Sequence, residues 1–93
     1  MGEVVRVHLL PFKKGGSYLK INFNGDIGKV TKFVTTCATF SEDIDVKAGR
    51  YIVDGKSLLG MCAISTMPDI EVDILTDDGF RIAVFQEIMK EFA

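Results

Sequence analysis

The chain has 93 residues, 47% hydrophobic and 26% charged, which suits one self-folding domain over residues 1–93 and excludes a disordered polypeptide. Eleven Lys and Arg against thirteen Asp and Glu leave a net charge of −2 and a pI near 5.3, which argues against a general nucleic-acid or anionic-membrane binder. One histidine, no Trp, no glycine-rich phosphate loop and no metal-ligand spacing give no basis for an enzyme, a metal or a cofactor, and favour a small binding or carrier domain.

Over residues 4–10, Val5, Val7 and Leu9 alternate with Arg6 and His8, the period of a half-buried strand closed by Pro11. Lys13-Lys14-Gly15-Gly16 reads as a turn, and residues 18–23 alternate again through Leu19, Ile21 and Phe23, so a hairpin is expected. Asn24-Gly25 breaks that strand, and Asp26 is placed to cap a helix with apolar positions Ile27, Val30, Phe33, Val34, Cys37 and Phe40. Thr31, Thr35, Thr36 and Thr39 lower its intrinsic propensity, so packing must hold it. Ile44 and Val46 alternate with Asp45 and Lys47, and a turn at Ala48-Gly49-Arg50 leads into Tyr51-Ile52-Val53 as a second short strand. Ser57 stands as an N-cap before the apolar run Leu58, Leu59, Met61, Cys62 and Ile64. After Pro68, Ile70, Val72 and Ile74 alternate with Glu71 and Asp73 as a strand, and Asp77-Asp78-Gly79 opens a last helix with a stripe of Ile82, Phe85, Ile88, Met89 and Phe92. The order is β-α-β-β-α-β-α with an extra N-terminal strand. One apolar face per strand implies an antiparallel sheet with helices on one face, an open-faced two-layer α+β sandwich.

Cys37 and Cys62 form neither a disulfide framework nor a metal cluster, and their apolar surroundings point to reduced, buried thiols of a cytoplasmic protein. No run reaches the roughly 20 apolar residues of a membrane span. Residues 1–10 lack the continuous apolar centre of a signal peptide.

The run Lys56-Ser57-Leu58-Leu59-Gly60-Met61-Cys62-Ala63-Ile64 resembles HPr, the phosphocarrier of the bacterial sugar phosphotransferase system, in which a hairpin ends in Lys-Ser, two apolar residues, Gly, two apolar residues, a small residue and an apolar one. Element order and gap-free spacing extend the resemblance over residues 18–92, and residues 1–17 lie outside it. The resemblance implies an HPr-like fold. It also marks a departure. The family carries its phosphoryl group on a histidine within Gly, apolar, His, Ala, Arg, Pro, Ala, whereas this chain has Gly25-Asp26-Ile27-Gly28-Lys29-Val30. Asp26, Gly28 and Lys29 therefore occupy the former active-site positions without a histidine or an arginine. Aspartyl phosphate sites add a metal and a lysine or acidic cluster, so Asp26 reads as a helix cap. His8 reads as an exposed strand residue outside the resemblance.

What the resemblance implies for Ser57 is regulatory phosphorylation by an HPr kinase/phosphorylase; a cap contributing about 1 kcal/mol is the other reading. In the family the same helix docks onto proteins, which makes Lys56, Leu58, Leu59, Met61 and Cys62 candidate partner-binding residues, with Leu58 and Cys62 expected nearer the core and Leu59 and Met61 outward. The partners implied are a transcription regulator or a transporter component, with no nucleic acid and no membrane. Two functions follow: a regulatory adaptor related to HPr-like proteins that lack the histidine and keep the serine, or a divergent, unphosphorylated interaction module. An added edge strand would allow a homodimer instead of a monomer. Lys13, Lys14, Lys29 and Lys32 are expected to be solvated.

Overall fold

A computed structural model describes residues 18–93. The expected N-terminal strand and its hairpin turn fall outside the described residues. From Tyr18 onward the order is β1 (Tyr18–Ile21), α1 (Ile27–Cys37), β2 (Ile44–Ala48), β3 (Tyr51–Asp54), α2 (Leu58–Ile64), β4 (Ile70–Ile74) and α3 (Gly79–Met89), followed by a 3-10 turn at Lys90–Phe92. The strands form one sheet in the order β1-β4-β2-β3, and every neighbouring pair is antiparallel.

Strand alternation divides the sheet into two faces. One carries Ile21, Ile44, Val46, Ala48, Val53, Ile70, Val72 and Ile74. All three helices pack on that face, through Val30, Phe33 and Cys37 of α1, Met61 and Ile64 of α2, and Phe85 and Met89 of α3. Among the described residues this is an α+β fold with its helices on one face of the sheet, compatible with an open-faced sandwich. Edge-to-face rings lock the helical layer, with centroids 5.1 Å apart for Phe23 and Phe33, 5.5 Å for Phe33 and Phe92, and 5.3 Å for Phe40 and Phe85.

Two positions of the α1 stripe differ from expectation. Ile27, in the first turn, is exposed, and Phe40 lies beyond the helix end yet is buried. After the Ala38 N–H, which still bonds Val34 four residues back, the Thr39 and Phe40 N–H groups bond only three residues back to the Thr36 and Cys37 carbonyls; this tightening ends the helix at Cys37 and folds Phe40 under it. On α3, Ile82 is half-buried and Ile88 is exposed, so the inward stripe narrows to Phe85 and Met89 and continues at Phe92.

Candidate functional site

The chain reverses tightly between β3 and α2. The Ser57 N–H bonds the Asp54 carbonyl at 2.9 Å, and the Lys56 N–H donates to the Asp54 carboxylate at 2.9 Å. Ser57 then takes extended backbone angles, and its Oγ accepts the Gly60 N–H at 3.0 Å. This is an N-cap, as the sequence indicated. Gly60 suits the close approach of the helix. A Cβ there would stand 3.2 Å from Val53 Cβ and 3.3 Å from Ser57 Oγ, so the helix lies directly on β3. That close approach leaves Ser57 only 4% exposed.

The helical rotation set by this contact decides which side chains face out. Gly60, Met61 and Ile64 point inward, three and four residues apart. Met61 is therefore a core residue, which corrects its placement on the outward patch. Leu58, expected nearer the core, is 38% exposed, and Leu59 is 61% exposed. Cys62 is half-buried and packs against the core edge. Lys56 is also half-buried, with its Nζ donating to the Phe40 carbonyl at 2.6 Å, so it ties the α2 entry to the end of α1. Of the candidate partner-binding residues, Leu58 and Leu59 form the accessible pair.

The former active-site positions lie at the start of α1. Asn24 and Gly25 both adopt positive φ, 53° and 70°, which turns β1 sharply into the helix. The Gly25 N–H bonds the Ser65 carbonyl at 3.0 Å, so this turn abuts the C-terminal end of α2. Leu58 and Leu59 sit at the other end of that helix, about 10 Å away at 1.5 Å rise per residue. Asp26 Oδ1 accepts the Lys29 N–H at 3.1 Å, which caps α1. Gly28 is exposed, and Lys29 donates its Nζ to the Asn22 carbonyl at 2.6 Å while lying over the Phe23 ring. Asp26, Gly28, Lys29, Lys32, Glu91 and Phe92 line an open cleft of about 440 Å³, bridged by the Lys32–Glu91 ion pair at 3.0 Å.

Chemically, this cleft offers a carboxylate committed to a helix amide and lysines committed to a carbonyl and a carboxylate. Among the described residues no group of three or more His, Cys, Asp or Glu could hold a metal ion. Cys37 supplies no nucleophile either, because burial pushes its thiol up to about 12. No described helix is long and apolar enough to cross a membrane. The exposed Ile27, beside Asp26, was not singled out from sequence because its spacing matched the buried stripe of α1. No family model, curated protein or solved structure matches the chain.

Proposed function

We propose that the protein is an HPr-like adaptor that carries no phosphoryl group at the α1 turn and docks other proteins through the first turn of α2. The pairing of two features carries this reading. The Asp26 carboxylate is taken up by its own helix amide where the family keeps a histidine, while Leu58 and Leu59 keep 38% and 61% of their surface exposed. The sheet order, with β4 between β1 and β2, suits the HPr-like arrangement. Exposed leucines on a short, well-anchored helix give a rigid apolar contact for a partner's surface.

The burial of Ser57 favours the unphosphorylated form of this reading. A kinase must first rotate the hydroxyl out of its bond with the Gly60 N–H. Regulation by a phosphoserine at Ser57 is the second reading, carried by its place in the Lys-Ser-Leu-Leu-Gly motif. Intact mass after incubation with an HPr-type kinase and ATP separates the two. No mass gain is expected. One phosphate that disappears in Ser57→Ala would make the phosphoserine the switch instead. Label transferred from phosphorylated enzyme I to the chain would overturn the adaptor reading altogether.

A further inference from the structure

Asn24-Gly25 is the one Asn-Gly pair in the chain. In an open polypeptide such a pair is chemically labile, because glycine has no side chain to keep its nitrogen away from the preceding amide carbon. The Gly25 nitrogen, once it has lost its proton to base, attacks Asn24 Cγ; the new C–N bond closes a five-membered imide while the Cγ–Nδ2 bond breaks and ammonia leaves. Water then opens the ring at Cγ to give aspartate, or at the main-chain carbonyl to give isoaspartate. The folded main chain opposes the first step. Asn24 and Gly25 are the central residues of a turn closed by the Asp26 N–H on the Phe23 carbonyl at 2.9 Å, and their φ values of 53° and 70° are those of type I′. In that turn ψ of the first central residue is about +30°, which places the next nitrogen across the Cα–C bond from Cβ; ring closure needs a rotation well beyond a right angle. The Gly25 N–H is also held by the Ser65 carbonyl at 3.0 Å, which retains its proton and fixes the peptide plane. Asn24 itself is exposed, so water and base reach its side chain and the block lies in the main chain alone.

We propose that Asn24 is a latent modification site: the closed turn protects its amide, and separation of that turn from the end of α2 releases it to irreversible deamidation. The change runs one way, since the ammonia is lost. Isoaspartate adds a carbon to the main chain ahead of Gly25, so the Gly25 N–H no longer meets the Ser65 carbonyl and Asp26 is displaced from its place as the cap of α1. The space around Gly25 gives the longer chain little room, because even a Cβ there would stand 3.2 Å from Thr66 Cγ2. A molecule that has converted therefore keeps its sheet and loses the tie between the start of α1 and the end of α2.

Peptide mass mapping of the full chain, incubated at alkaline pH in its native state and in concentrated urea, tests this. Fragment ions locate the conversion at Asn24, and a protein-isoaspartate methyltransferase counts the isoaspartate formed. Conversion is expected to be slower in the native chain by about tenfold or more, and hydrogen exchange should protect the Gly25 amide to a similar degree. In refolded chains that carry isoaspartate, the Gly25 amide should lose that protection while the amides of β2 and β4 keep theirs. Any of three results would overturn the proposal: equal conversion in the two states, no conversion in urea, or a Gly25 amide still protected in the isoaspartate form.

Discussion

The Ser57 hydroxyl accepts the Gly60 N–H in a buried turn, so removing it leaves a helix-end amide without its cap and without ready access to water. Ser57→Ala should cost about 1–2 kcal/mol, read from the urea midpoint at unchanged m-value. A loss near zero would mean that water replaces the cap. At Cys37, burial and a thiol pushed up to about 12 remove the reactive thiolate at ordinary pH. A maleimide at pH 8 should therefore modify Cys62 in the folded protein and reach Cys37 only after unfolding, which intact mass of partly denatured samples would show. Equal labelling of both thiols in the native state would contradict the buried position of Cys37.

Along the elements, α2 shows how sequence pattern and packing divide the work. The Met61 side chain is fully buried and that of Leu59 is out, so Met61→Ala should destabilise by about 2–5 kcal/mol and Leu59→Ala by less than about 0.5 kcal/mol. Denaturant melts of the two variants check this; equal losses would reverse the helix orientation. Gly60→Ala raises helix propensity by about 1 kcal/mol, but its methyl meets Val53 and the capping Ser57, and a net loss of about 1 kcal/mol is expected in the same assay. The period-two strands at Ile44–Ala48 and Ile70–Ile74 and the caps at Asp26, Ser57 and Asp78 were all legible, because each rests on local chemistry. The outward face of α2 was not. A seven-residue helix with five large apolar positions has no unique inward stripe, and its rotation is set by how closely Gly60 lets it approach β3. For the same reason Phe40 was read as helical: its spacing fits, but its burial comes from the loop that folds beneath α1.

Across the whole molecule, one ion pair fastens the loop before β2 to the start of α3. Arg81 grips Glu42 with both arms, Nε to Oε2 at 2.8 Å and Nη2 to Oε1 at 3.1 Å, and lies over the Phe40 ring. The Arg81 hydrogen bonds, helped by backbone donation, hold the Glu42 carboxyl down from 4.5 to about 2. A depressed folded value means that the stabilisation is complete above about pH 4.5 and is lost as pH falls toward 2. Glu42→Gln should therefore flatten the fall of stability between those two pH values, measured by urea unfolding at several pH values; an unchanged slope would place the acid sensitivity elsewhere. Nothing in the local pattern signals this pair, since its members are 39 residues apart.

The sheet order also governs when the chain can fold. β4 occupies an interior position between β1 and β2, and it pairs with β1 across the forty-eight intervening residues 22–69. On a ribosome, among the described elements only the β2–β3 hairpin and the first two helices can form before that strand emerges, and β1 waits until then for its described neighbour. The nascent protein therefore presents the Leu19 and Ile21 side of β1 without its described partner until β4 emerges, and the emergence of β4 sets the moment at which the described sheet closes.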